Sequence, residues 1–100
     1  MNDIIRFIKL LSGEELIAEI QDSDDDTTTL KNPVAIAVHP QDGGRVMVPW
    51  IPYSDDIQYV IKNSSIVLIS SIRNNLLDAY EEKFSGIVRA TPQQTQILTQ

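Results

Sequence analysis

The sequence contains no cysteine, which excludes disulfide bonds and thiolate metal ligands. Its single histidine, His39, stands before a proline in a predicted turn, and no serine lies in a nucleophile-elbow motif. With four glycines, the chain also has no phosphate-binding glycine loop. These absences leave no set of groups for catalysis, so we expect a protein that is not an enzyme and that carries no cofactor.

Long apolar runs are absent as well. None approaches the ~20 residues that a helix needs to span a bilayer. The first three residues, Met1-Asn2-Asp3, lack the basic region of a signal peptide. We therefore expect a cytoplasmic protein with no membrane partner.

Positive charge is scarce. Eight Lys and Arg residues stand against fourteen Asp and Glu residues, which gives a net charge of −6. This balance argues against a broad basic face of the kind that wraps nucleic acid. Any binding of nucleic acid would have to rest on a local site, such as a loop or a stacking pocket.

An acidic run invites a metal interpretation. Asp22, Asp24 and Asp26 have the one-three-five spacing of a calcium loop. No glycine follows Asp26, however, and Pro33 stands where that loop would need its closing glutamate. We interpret the run as a solvated acidic turn and expect no metal.

The length of 100 residues fits one domain, 1–100, and its first part reads as a series of short strands. Residues 4–11 fit either a helix or a strand, but their isoleucines and the terminating glycine turn favour a strand with a second apolar face to cover. In residues 14–21 the apolar side chains alternate with period two, which indicates a strand. Leu30, Val34 and Ile36 share one parity, which predicts that they face the same side of the next strand. Pro33 lies within this strand and has no N–H to donate to a neighbour, so it should lie at a bulge or an edge of the sheet.

Prolines interrupt the following strand. Pro49 and Pro52 mark residues 46–53 as irregular, and the alternation resumes at residues 57–61. Trp50, between these prolines, and Tyr53, directly after the second, form a rigid aromatic segment that suits a contact with another protein. An all-apolar short strand, Ile66-Val67-Leu68-Ile69, completes the series.

The pattern then changes to helical spacing. Leu76, Leu77, Tyr80 and Phe84 predict a helix over about 75–85, with Asn74 or Asn75 as its cap and Gly86 at its end. Its apolar face would cover one open sheet face or a neighbouring subunit. The tail, 87–100, is polar and rich in Thr and Gln.

Two segments together resemble the motifs of the Sm-like family. Residues 8–20 (IKLLSGEELIAEI), followed by 30–33 (LKNP), resemble the first Sm motif. Residues 59–69 (YVIKNSSIVLI) resemble the second. The Leu-x-x-Gly-Glu-Glu opening, the Asn-Pro pair and the Pro-Trp pair are most similar to those of small Sm-like proteins of cyanophages and related phages. The resemblance implies a mainly β fold, a five-stranded, strongly bent antiparallel open barrel over about 4–72, here with a C-terminal helix.

The resemblance also implies functional residues. Single-stranded RNA would contact two predicted loops through Lys31 and Asn32 and through Lys62 and Asn63. Asn63 stands where the family has a glycine, and asparagine tolerates a left-handed turn. Thr28 stands where the family has an acidic residue. Subunits would join edge to edge into a homo-oligomeric ring, with the interface formed by Ile66, Val67, Leu68, Ile69, Trp50 and Tyr53. The alternative is a structural or adaptor module of phage type that binds a protein partner and no RNA.

Overall fold

The computed structural model describes residues 4–85, which form an antiparallel sheet and one helix. The strands and the helix are β1 (Ile5–Leu10), β2 (Glu15–Ser23), β3 (Thr27–Val38), β4 (Arg45–Pro49), β5 (Gln58–Lys62), β6 (Ile66–Ser70) and α1 (Asn74–Ser85), with a 3₁₀ turn at Asn63–Ser65. The sheet order is β4-β3-β2-β1-β6, and β5 also pairs with β3. β4 and β6 stand at the two ends of this order, so the sheet is open. The mainly β fold with a C-terminal helix is confirmed.

The sheet has six strands where five were predicted, because the fourth strand is split in two. β4 pairs with the second half of β3, where Val48 lies opposite Ala35. β5 pairs with the first half, where Val60 lies opposite Thr29. Between them, residues 50–57 leave the sheet; we call this segment the excursion. Pro49, the last residue of β4, and Pro52, within the excursion, lack two of the N–H groups that a continuous ladder would need.

A β-bulge in β3 lies opposite this break. The pairing steps from Ile17 with Val34 to Glu19 with Lys31, so β3 has one residue more than β2 in this interval. Asn32, within the extra length, has a φ of 52°. The prediction that Pro33 would lie at a bulge or an edge is confirmed.

The bulge also corrects the predicted facing of β3. Leu30 and Val34 share sequence parity, yet they belong to different core clusters on opposite faces of the sheet. The extra residue reverses the alternation, because side chains change face at each residue of a regular strand. Ile36 follows Val34 on its face, and Ala35 lies on the face of Leu30.

Each face of the sheet has its own buried cluster. The cluster on one face, which we call the inner cluster, comprises Ile8, Leu10, Leu16, Ala18 and Leu30. The outer cluster joins the sheet to the helix and comprises Ile5, Ile17, Val34, Leu77 and Tyr80. The residues of β1 therefore form a strand with apolar side chains on both faces, and α1 supplies the predicted cover for one of them.

The helix begins one residue earlier than expected. The N–H groups of Leu76 and Leu77 both donate to the carbonyl of Arg73, which puts Arg73 at the N-cap position and Asn74 in the first turn. Gly86 and the tail, 87–100, lie outside the described residues. Over residues 4–85, α1 is too short and too polar to cross a membrane.

Candidate functional site

Two loops meet at one end of the sheet, and Asn63 connects them. Its N–H donates to the carbonyl of Asp26 and its side-chain Nδ2 donates to the carbonyl of Asp24, each at 2.8 Å. Its Oδ1 accepts the hydroxyl of Thr28 at 2.6 Å. Both ends of the amide are therefore used within the chain, holding the 3₁₀ turn against the turn between β2 and β3.

Thr28 links Asn63 to Ser23 through its hydroxyl. Its side chain is buried, and its Oγ1 lies 3.2 Å from the hydroxyl of Ser23. Because the Thr28 hydroxyl donates to Asn63, it accepts from Ser23. The residue that differs from the family's acidic position thus acts as a neutral partner for the amide of Asn63.

The acidic turn is organised by its own backbone. The carboxylate of Asp24 accepts the N–H groups of Asp26 and Thr27, each at 2.8 Å. These two hydrogen bonds, the one from Thr27 first, hold the pKa of Asp24 below its ordinary value. Among residues 4–85, no three His, Asp or Glu side chains converge as metal ligands would.

Lys62 lies beside this turn. It lines a concavity of about 320 Å³ together with Asp25, Asp26, Thr27, Asn63 and Ser64. Two carboxylates therefore border the same small surface as the one lysine. We call this surface the loop site.

The loop site does not include the other two predicted RNA contacts. Lys31 and Asn32 lie within β3 and not in a loop, because the strand continues through the bulge to Val38. Lys62 pairs with Thr27, whereas Lys31 pairs with Gln58, and four residues along a strand span about 13 Å. The predicted set is thus divided between two separate places.

Asn32 has a different environment from Asn63. Its N–H donates to the carbonyl of Ile57 at 2.7 Å, and its carbonyl accepts the hydroxyl of Tyr80 at 2.8 Å. Among the described non-glycine residues, Asn32 is the one with a positive φ. The left-handed conformation expected at Asn63 is found at Asn32, which links the break in the fourth strand to the helix.

Within residues 4–85, three strands each have a single partner. β4 and β5 pair with β3 alone, and β6 pairs with β1 alone. β5 and β6 each carry exposed apolar side chains: Val60 on β5 is 67% exposed, and Val67 and Leu68 on β6 are 54% and 45% exposed. Ile69 is also exposed, and Ile66 is half-buried against the inner cluster.

The two aromatic residues of the proline-bounded segment face different ways. Trp50 is half-buried, packs on the inner cluster and lies edge-on to Tyr59 at 6.1 Å between ring centroids. Its Nε1 donates to Glu14 at 3.3 Å. Tyr53, at the tip of the excursion, is 99% exposed. Trp50 therefore packs within its own chain, and Tyr53 is the aromatic residue left for a contact outside it.

A comparison with protein families agrees with this architecture. The family model described as the Sm_like domain matches residues 7–81, which run from β1 into α1. No curated protein matches the chain. The match covers well over half of the sequence, and the order of strands, the 3₁₀ turn before the last strand and the open antiparallel sheet fit it. The chain belongs to the Sm-like family.

Proposed function

We propose that this protein is a cytoplasmic ring subunit that assembles with copies of itself through two of its free strand edges, those of β5 and β6. The observation that carries the proposal is the pair of exposed apolar edges, β5 with Val60 and β6 with Val67. Sm-like proteins commonly form oligomers, which agrees with this proposal.

An unpaired strand edge with apolar side chains favours association with another chain. Exposed N–H and C=O groups beside apolar side chains make a template for pairing with another chain. When the edge of β5 pairs with the β6 edge of the next copy, the contact is head to tail. Such a contact closes into a ring if the rotation between copies allows it. In a closed ring, the β5 and β6 edges of every subunit are paired in the same way.

The test uses one charge on each edge. We expect Val60→Lys and Val67→Lys each to abolish the ring, as measured by light scattering after size exclusion. Mixed together, the two variants should form a one-to-one dimer, because each retains the edge that the other lacks. Val38→Lys is the matched control, since Val38 is 57% exposed but lies on an inner strand.

Two results would overturn this assembly. A wild-type chain that is monomeric at all concentrations removes the ring. A Val60→Lys variant that still dimerises, beside a monomeric Val67→Lys variant, would show instead a symmetric contact between two β6 edges.

RNA binding at the loop site is the second function to test. Lys62 is exposed there, and a ring would repeat it around one axis. The neighbouring carboxylates of Asp25 and Asp26 would weaken the attraction for phosphate, so we expect micromolar affinity at best and strong salt dependence. Titration of U-rich and A-rich single strands at low salt measures this affinity. Lys62→Ala should reduce it, while Lys31→Ala, about 13 Å away along the strand, should not. Absence of binding by the wild-type ring would refute the RNA role.

An adaptor role is favoured by Tyr53. A fully exposed tyrosine on a proline-bounded tip is the kind of anchor that protein interfaces use. If the chain binds a protein partner, for example a phage protein, Tyr53→Ala should release that partner in co-purification while the oligomer remains intact. Recovery of RNA and of no protein would argue against this role.

A further inference from the structure

β4 is the third strand with a single partner, and the proposed ring contact leaves its edge open. The ring joins β5 of one copy to β6 of the next, and each of these strands has five residues. Because their lengths match, β6 would cover β5 without reaching β4, which lies beyond the excursion. The edge of β4 is therefore a surface for which the ring supplies no partner.

Hydrogen bonds at both ends of the ladder between β3 and β4 show how β4 is oriented. The N–H of Trp50 donates to the carbonyl of Pro33 at 3.3 Å, and the N–H of His39 donates to the carbonyl of Gly44 at 2.6 Å. Both pairs lie on the register that β3 and β4 share. Since bonded and non-bonded pairs alternate along an antiparallel ladder, the even-numbered residues of β4 bond to β3.

The odd-numbered residues of β4 therefore point their main-chain groups away from β3. Arg45 and Met47 each present an N–H and a carbonyl along this edge, and Pro49 presents a carbonyl alone. Donors and acceptors with this two-residue spacing are what a further strand needs in order to pair. Pro49, which has no N–H to offer there, marks one end of the edge.

A cleft of about 470 Å³ lies between this edge and the helix. Met47 packs against the outer cluster, so Arg45, two residues before it, lies on the same face as α1. Every second side chain of a strand added along β4 would lie in the cleft, because side chains alternate between the two faces. The cleft is lined by Arg45, Val46, Met47, Ala79, Glu82 and Lys83.

Charge and polarity define the strand that fits. Arg45 and Lys83 are exposed, and neither forms an ion pair within residues 4–85. Glu82 is the carboxylate among the lining residues, so the cleft has an excess of one positive charge in a chain whose net charge is −6. On the opposite face, β4 offers Val46, which is half-buried, and Val48, which is 37% exposed. Acidic side chains suit the cleft face, and apolar side chains suit the other.

We propose that the edge of β4 binds an extended segment of a partner protein in which acidic and apolar residues alternate. The main chain of the segment pairs with Arg45 and Met47, and its acidic side chains face Arg45 and Lys83. Its apolar side chains cover Val46 and Val48. This docking does not depend on the contact between β5 and β6, so the two proposals fail independently.

The first measurement uses a fluorescein-labelled octapeptide in which Val and Glu alternate. Fluorescence anisotropy at low salt should show binding to the wild type. An octapeptide with the same residues in two blocks, Val first and Glu second, is the matched control and should bind about tenfold more weakly. Arg45→Glu should weaken binding of the alternating peptide about tenfold, and an octapeptide of alternating Val and Lys should bind this variant better than the wild type. Equal binding of the alternating and block peptides, or none by the wild type, would overturn the proposal.

The second measurement locates the strand. Met47→Pro removes an outward N–H and leaves the hydrogen bonds to β3 in place, so it should abolish binding. An alternating peptide with a methyl group on every main-chain nitrogen should also fail to bind the wild type, whether or not the proline variant folds. Val60→Lys alters β5 and should retain binding. Loss of binding in Val60→Lys would place the peptide on the β5 edge. Binding by Val60→Lys but not by the wild-type ring would show that a neighbouring copy covers β4. Either result overturns the proposal.

Discussion

The hydroxyl of Tyr80 donates to the main-chain carbonyl of Asn32, 2.8 Å away, and lies 3.1 Å from the carbonyl of Lys31. One buried side chain of α1 thereby fixes the helix to the bulge in β3. Burial, and secondly the negative charge of Glu19, raise the pKa of Tyr80 above its ordinary value. The hydroxyl is therefore neutral in the folded protein and joins the helix to the bulge, while the N–H of Asn32 joins the bulge to the excursion at Ile57.

Tyr80→Phe should therefore destabilise the fold. Loss of the hydroxyl removes a donor from two half-buried carbonyls, and we expect the free energy of unfolding to fall by about 1–2 kcal/mol. Tyr53→Phe removes the same atom from a fully exposed ring and should change stability by less than about 0.5 kcal/mol. Urea unfolding measures both. Equal effects from the two variants would show that the hydroxyl of Tyr80 does not anchor the helix.

The bulge requires a left-handed backbone conformation at Asn32, which determines the residue types that this position tolerates. A φ of 52° costs a residue with a Cβ roughly 1 kcal/mol, and asparagine is among the residues that tolerate it best. Asn32→Ala should lower the free energy of unfolding by about 1 kcal/mol, whereas Asn32→Gly should be nearly neutral, because glycine adopts this conformation freely. Thermal unfolding of the two variants tests the order. An alanine variant at least as stable as the glycine variant would contradict it.

The contact between the loops predicts coupling between Asn63 and Thr28. Asn63→Ala leaves the buried hydroxyl of Thr28 and the carbonyl of Asp24 without their partner, and should cost about 1–3 kcal/mol. Once Asn63 is alanine, Thr28→Val should cost much less than it does in the wild type. A double-mutant cycle measures this coupling, which we expect to be about 1 kcal/mol. Additive effects would mean that the hydrogen bond contributes nothing to stability.

The hydrogen bonds to Asp24 predict part of the loss of folding stability at acid pH. Because folding lowers the pKa of this carboxyl, its stabilising contribution is present above the ordinary value of 3.8. The contribution is lost as the pH falls through the lowered pKa of the folded state. Asp24→Asn removes the titrating group, so its melting temperature should fall less steeply than that of the wild type between about pH 5 and pH 2. Parallel curves would exclude Asp24 as a source of acid sensitivity.

Local sequence patterns were sufficient to predict most of the strands and the helix. Alternation predicted the strands, and the spacing of Leu76, Leu77 and Tyr80 predicted the helix. The reversal of facing after Leu30 could not be predicted, because it depends on one left-handed residue whose side chain gives no periodic signal. Pro33 signalled a bulge or an edge without indicating that the alternation would invert.

The candidate site was harder to predict for a related reason. The motif resemblance grouped Asn32 with Asn63, but distant contacts give each residue a structural role, Asn32 through its main chain and Asn63 also through its side-chain amide. Asn63 meets Asp24 and Thr28, which lie 39 and 35 positions away along the chain. The run of aspartates directly after β2 was the available sign that the turn opposite Lys62 would be acidic.

The split fourth strand has a consequence for engineering. Because β4 and β5 are each tied to β3 by their own ladder, the register of one does not depend on the number of residues that separates it from the other. A peptide inserted between Tyr53 and Ser54 would therefore lengthen an exposed tip without shifting either half-strand. The same insertion within β2 or β3 would move apolar side chains to the wrong face. The excursion is thus the position where this small fold could display a foreign sequence, one copy on every chain.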